Sequence, residues 1–303
     1  MKENAISVDF SEDLSELVLS GARTFTADFG LNTLLLDERR SVIRANLTDK
    51  LRSPAGGAAL GFLVTAVDIV TSDPALVAGG GDWTATQDLS LHAVTAPKDG
   101  PLFVDANLVR VGKKTVVVSA DVYDGHGRED LAGFAREIDG GAAGKPCGPT
   151  LAARGLVTFA RLPRHAASHA DLYTPGQWVG KVRGHPEREI DGDIYERLDL
   201  RVVDAAAGVL ELDRSLFVLN QIGTIQGGAQ ALLAEAAAHA MRPGLVATDM
   251  LVRYLSQVRS GPARSYGTVV RDAPDHSVID IRLVDAGDDE RVLALMTVTL
   301  QRP

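Results

Sequence analysis

The chain has 303 residues, 45% of them hydrophobic and 23% charged, and its 31 Lys and Arg against 40 Asp and Glu leave a formal net charge of −9. That composition is globular rather than disordered, long enough for one large or two ordinary domains, and too acidic to suggest a nucleic-acid partner. Cys147 is the only cysteine, which excludes an internal disulfide and any cysteine-based zinc or iron–sulfur centre. With no run of about 18 uninterrupted apolar residues and no basic-then-apolar leader, a cytoplasmic protein without a membrane partner is expected.

Residues 1 to 30 are expected to hold a short helix, with Ser11 as its N-cap and Glu12 and Asp13 in the first turn. Residues 34 to 70 then read as a short strand, a loop containing Gly56, and an apolar helix of about three turns that begins near Gly61. Alternating segments follow at Asp88 to Val94, Phe103 to Val111 and Thr115 to Val122, as expected of an antiparallel sheet with one covered face. Gly100-Pro101 and Gly112-Lys113 stand where hairpin turns are wanted. Residues 125 to 150 carry seven glycines and two prolines, which predicts a long, mobile insertion before a strand at Leu156 to Arg161. Pro163, Pro175 and Pro186 mark residues 163 to 199 as a surface linker.

The same order is then written a second time. Residues 201 to 237 align with 34 to 70 at a constant offset of 167, which sets Asp204 on Asp37, Gly223 on Gly56, Gly228 on Gly61 and Glu235 on Asp68. Residues 247 to 285 align with 86 to 124 at an offset of 161, the difference lying in Ala78 to Trp83, which has no counterpart. Gly261-Pro262 and Ala273-Pro274-Asp275 supply the second set of turns, and Leu293 to Arg302 the last strand. The predicted domains are residues 1–162, including the N-terminal extension and the glycine-rich insertion, and 200–303, joined by the linker 163–199.

Each helix carries one acid in an otherwise apolar surface, Asp68 in the first and Glu235 in the second. A buried carboxylate is costly unless something satisfies it. A glycine at the start of a helix lets a ligand carbonyl approach unpaired backbone N–H groups, which also form the positive end of the helix dipole. Gly227 or Gly228 is thus placed to donate to an oxyanion. In both cases a purely structural role, a hydrogen bond to a neighbouring loop for the acids or a close helix–sheet contact for the glycines, is the competing reading.

The stretch from Asn220 through Gly227-Gly228 to Glu235 resembles the Asn-x6-Gly-Gly-x6-Asp/Glu signature of hotdog-fold acyl-CoA thioesterases of the phenylacetic-acid-pathway type. Thr248 to Ser256 and Leu108 to Val118 are similar to its later strands. The resemblance implies an α+β fold of two tandem hotdog units, each an antiparallel sheet wrapped around a central helix, packed as a pseudo-dimer. It further implies that Asn and Gly hold the thioester carbonyl, the acid is base or nucleophile, and a Ser or Thr on the next strand places water.

Gly227 and Glu235 lie on one helix about 12 Å apart at 1.5 Å rise per residue, while both would need to come within roughly 3 Å of the reacting atoms. Each site must therefore combine the donor of one copy with the acid of the other. The first site takes Asn220 and Gly227 from the second copy with Asp68 and Thr86 from the first. The second takes Ser53 and Leu60 with Glu235 and Ala247, so the Asn, the first glycine and the strand hydroxyl are all replaced and an impaired site is expected.

Arg110, Lys113 and Lys114 resemble positions that meet coenzyme A phosphates, although solvated turn charges account for them equally well. No metal and no cofactor beyond the coenzyme A moiety of the substrate are expected: His165 and His169 lack a third ligand. There is no G-x-S-x-G elbow, P-loop or dinucleotide fingerprint. Acyl-CoA thioesterase activity in a homo-oligomer is the reading. A non-catalytic acyl-CoA-binding protein and a double-hotdog enoyl-CoA hydratase are the alternatives, the latter lacking a His after Asp191-Gly-Asp193.

Overall fold

The computed structural model describes residues 24–54, 56–163, 174–185, 187–220 and 222–303. The helix expected around Ser11 lies outside them. The first half forms β1 (Asn32–Asp37), β2 (Arg40–Ala45), α1 (Leu60–Ala78), β3 (Trp83–Ala93), β4 (Leu102–Val111), β5 (Thr115–Asp124), α2 (Leu131–Asp139) and β6 (Thr150–Leu162). After the short β7 (Val182–Gly184) come β8 (Arg201–Asp204), β9 (Val209–Leu212), α3 (Gly227–Met241), β10 (Val246–Tyr254), β11 (Ala263–Ala273), β12 (His276–Asp285) and β13 (Arg291–Gln301).

All strands join one 13-stranded sheet in the order β7-β1-β2-β4-β5-β6-β3-β10-β13-β12-β11-β9-β8. Its two sides mirror each other about the antiparallel β3–β10 pair, which aligns Asp88 with Arg253 and His92 with Asp249. Buried and less buried residues alternate along β5 and β12, because only one face of each pleated strand meets the core. α1 packs on the first set of strands, α3 on the second, and the helices pack on each other. Covered over most of their surface, they need apolar residues on nearly every side.

The glycine loops before the helices repeat bond for bond at the offset of 167. Ser53 N–H donates to Gly57 O, Gly56 N–H to Ser53 O and Ala59 N–H to Leu51 O; Asn220, Gly223 and Gln226 donate in the same way to Thr224, Asn220 and Val218. The later loops repeat at 161. Asp124 accepts from the backbone N–H groups of Lys98, Asp99 and Gly100, and Asp285 from those of Arg259, Ser260 and Gly261. Gly100-Pro101 and Gly261-Pro262 are both cis. They lead into β4 and β11 from longer connections rather than forming hairpin turns.

Several expectations need correction. α1 has 19 residues, not about three turns, and continues through Pro74. Proline has no N–H for the Val70 carbonyl four residues back, and the buried Ser41 hydroxyl donates to that oxygen instead, at 2.6 Å. α1 matches a membrane span in length and mean hydropathy, 1.5, yet 78% of its most apolar 18-residue window is buried within the protein, as in a core helix.

The glycine-rich insertion is not wholly a loop. Asp130 caps α2 by accepting from Ala132 N–H, and Phe134 stacks on Phe103 at 4.3 Å between ring centroids. The described part of the linker is more than a surface connection, since β7 pairs with β1 and Arg183 forms an ion pair with the buried Asp73 at 3.1 Å.

Candidate active site

The helices cross at their N-terminal glycines. A methyl group built on Gly228 would stand 2.0 Å from Thr65 Oγ1, and one on Gly61 2.7 Å from the Leu232 side chain. Leu232 is the counterpart of Thr65 at the offset of 167, so the same contact is made twice. Only glycine permits this approach. Gly228 is thus explained by helix–helix packing rather than by the helix–sheet contact considered from the sequence.

That crossing lays each helix start beside the acid of the other helix, and the two ends then differ. At one, the buried Glu235 accepts from Leu60 N–H at 2.9 Å and from Gly61 N–H at 2.7 Å, serving as the cap that Ala59 cannot provide. Tyr195 lies close by; burial and the Glu235 charge push its hydroxyl well above the usual phenol range. Ala247, at the position matching Thr86, offers no hydroxyl.

At the other end, Asp68 is one methylene shorter and is held by Thr86, whose hydroxyl donates to Asp68 Oδ1 at 2.6 Å. Burial raises the Asp68 carboxyl above its ordinary value, and the Thr86 hydrogen bond opposes this only in part. α3 has no side-chain cap. The Gly227 and Gly228 N–H groups precede the point at which intrahelical acceptors begin, and both residues line a cleft of about 630 Å³.

Asp68, Thr86, Asn220, Gly227 and Gly228 all line this cleft. Asn220 Oδ1 accepts from the N–H groups of Ile222 and Thr224 at 3.1 and 3.2 Å, which fixes the amide orientation and turns its NH₂ group outward from that turn. Glu235 does not line the cleft; it is occupied at the other helix start. Arg110, Lys113 and Lys114 lie on or beside the β4–β5 hairpin and do not line it either.

The cleft's basic side chains come instead from the linker, as Arg183, His185 and Arg188. Burial, together with the neighbouring Arg183, holds the His185 imidazole below its usual range. These residues had no sequence signal, because their placement depends on β7 pairing with β1. Tyr254, also in the cleft, did have one: Met250, Val252 and Tyr254 alternate along β10 toward the covered face.

A carboxylate held by a hydroxyl, lining the same cleft as a helix start without a side-chain cap and an asparagine amide, is equipped to activate water beside a carbonyl whose oxygen gains charge. Among the described residues, Asp99, Asp124 and His126 cluster as a metal site would, but Asp124 is taken up by backbone donors and the His126 ring by Asp99 and Thr150.

No protein-family model and no curated protein sequence matches this chain. Solved structures do match it. The tesB protein of Mycobacterium avium subs paratuberculosis superposes with a TM-score of 0.57 at 10% identity, over 92% of this chain and 98% of that one. The 12:0-ACP thioesterase of Umbellularia californica gives 0.53 at 10% identity, over 87% and 94%. An acyl-ACP thioesterase of Bacteroides thetaiotaomicron gives 0.52 at 9% identity, over 86% and 98%. At these identities the likeness is one of fold: the chain has the hotdog fold of thioesterase structures.

Proposed function

We propose that this chain is an acyl-thioester hydrolase whose two hotdog units, arranged in tandem as a pseudo-dimer, share one working site. The repeated loop hydrogen bonds and the paired glycine crossings support the tandem arrangement. The observation that carries the activity is the Asp68–Thr86 pair lining the same cleft as the uncapped start of α3. The cleft's volume falls in the usual range for small-molecule sites, about 300–1,000 Å³.

In this reading the thioester carbonyl oxygen meets the Gly227 N–H and the Asn220 NH₂. Asp68, made more basic by burial, takes a proton from water as the water oxygen bonds to the carbonyl carbon. The tetrahedral intermediate collapses, the C–S bond breaks, and the thiolate leaves without strong acid assistance because a thiol pKa is only about 8.5. Direct attack by Asp68 to give a mixed anhydride is the other route; a single turnover in ¹⁸O-water labels Asp68 only by that path. No metal or cofactor is needed, and the coenzyme A or carrier-protein arm belongs to the substrate. Arg188, at the exposed end of the cleft, is better placed than Arg110, Lys113 or Lys114 to meet its phosphates.

Incubating the purified chain with a panel of acyl-CoA and acyl-carrier-protein thioesters, while following free thiol and enoyl absorbance, tests this reading. Thiol release lost on Asp68→Asn is the expected outcome. Loss of enoyl absorbance without thiol release would identify a hydratase, and binding without turnover a non-catalytic acyl-thioester-binding protein.

A further inference from the structure

Tyr254 ends β10 and its side chain enters the cleft against the first residue of α3. A methyl group built on Gly227 would lie 2.7 Å from the tyrosine Oη and 2.9 Å from Cζ, so the phenol fills the space that glycine leaves beside the helix start. Its hydroxyl is closed to solvent and meets no acceptor among the described residues. Buried polar groups are nearly always paired, and this one has no evident packing reason to be a tyrosine rather than a phenylalanine.

We propose that Tyr254 is a further catalytic residue: its O–H donates to the same thioester oxygen that the Gly227 N–H meets, and holds that oxygen as it becomes an oxyanion. The inference rests on the hydrolase reading of the cleft. Gly227 then serves two ends, offering its own N–H and making room for a side-chain donor. The cleft walls supply donors from a helix start, a loop amide and a strand phenol, all from the second copy, and the acid from the first. Burial, and after it the charge of Asp68, push the phenol well above its usual range. It therefore stays protonated, and a donor, at neutral pH. No proton leaves it in the reaction; the water proton goes to Asp68 and the electron pair of the broken C–S bond to sulfur.

Tyr254→Phe keeps the ring against Gly227 and removes only the oxygen. On the best thioester of the panel, kcat should fall by on the order of 10²-fold, the usual effect of losing one oxyanion donor, with KM and the thermal unfolding midpoint little changed. A second measurement does not depend on turnover. A ¹³C-carbonyl thioester bound to the Asp68→Asn chain should show its carbonyl stretch at lower frequency than in the Asp68→Asn, Tyr254→Phe chain. Unchanged kcat and an unchanged carbonyl frequency overturn the role of Tyr254 and leave the hydrolase reading standing. A chain that binds a thioester without cleaving it, yet shows the Tyr254-dependent frequency shift, keeps the donor and ends the hydrolase reading. Failure to bind or cleave any thioester ends both.

Discussion

Glu235 holds the Gly61 N–H at 2.7 Å, so the acid of one helix closes the start of the other. Its counterpart Asp68 turns to Thr86 instead, and the corresponding helix start stays free for a ligand. One methylene and one strand hydroxyl thus separate the surroundings of the two acids, Asp68 beside Thr86 and Glu235 beside Ala247. A carboxylate that already accepts two backbone hydrogen bonds in place of a substrate oxygen is a structural cap, whatever its position in the repeat.

This asymmetry sets opposite outcomes for two isosteric changes. Asp68→Asn should remove thiol release, since the base is gone, while leaving the fold intact. Glu235→Gln should retain most of the activity but lose about 1–3 kcal/mol of stability, because an amide NH₂ now faces a backbone donor it cannot satisfy. Thiol-release rates and urea midpoints on both variants check the pair; loss of activity in Glu235→Gln at full stability would mean that the second site works.

Thr86→Val isolates the hydroxyl that steadies Asp68. That hydrogen bond lowers a carboxyl which burial has raised, so removing it must raise the carboxyl further. Because the proposed base acts only when ionised, the acid limb of the pH dependence of kcat/KM should move to higher pH, with lower activity at neutral pH and partial recovery under alkaline conditions. A limb that stays in place would show that Asp68 is not the titrating base.

Asp68, Thr86, Asn220, Gly227 and Gly228, which line one cleft, were legible as candidates because they combine a spacing with a chemistry. Asp68 stands out as an acid in an apolar helix and Gly227 as a glycine at a helix start, and the spacing of Gly227 and Glu235 along one helix is what makes a site that crosses between copies the expectation. Other features were hidden for identifiable reasons. Glycines around α2 masked the Leu131, Phe134 and Ala135 stripe and its Asp130 cap, although both signals were there. The positions of Arg183 and Arg188 follow from strand pairing, which a single sequence does not encode locally. That Glu235 reaches across to Leu60 and Gly61 depends on side-chain length against a helix separation that only the packed structure sets.

The glycine crossing should be intolerant at both ends. Gly228→Ala drives a methyl group into Thr65, and Gly61→Ala drives one into Leu232, including its backbone nitrogen at 2.9 Å. Overpacking of this kind costs about 1–3 kcal/mol, readable as a lower denaturant midpoint. Adding Thr65→Ala to Gly228→Ala removes the nearest atoms but leaves Cβ at 2.8 Å, so it should recover part of the loss, and the double-mutant cycle should show coupling. Simple additivity would mean that the helices do not depend on this contact.

Asp68→Asn should also stabilise the protein, by an amount that depends on pH. Burial raises the folded carboxyl above its ordinary value of 3.8, so the folded state binds this proton more tightly than the unfolded chain does. The resulting stability is fully present below pH 3.8 and is lost as pH rises through the higher folded value. Above that value the wild-type chain carries a buried charge whose cost asparagine avoids. The variant's advantage in unfolding midpoint should therefore be largest at neutral to alkaline pH and shrink on acidification. Comparing the two proteins at each pH cancels the titration of their common carboxylates. A difference that stays constant across the range, or favours the wild type at pH 8, would show that Asp68 is satisfied where it lies, as Glu235 is, and would remove the physical basis for making it the base.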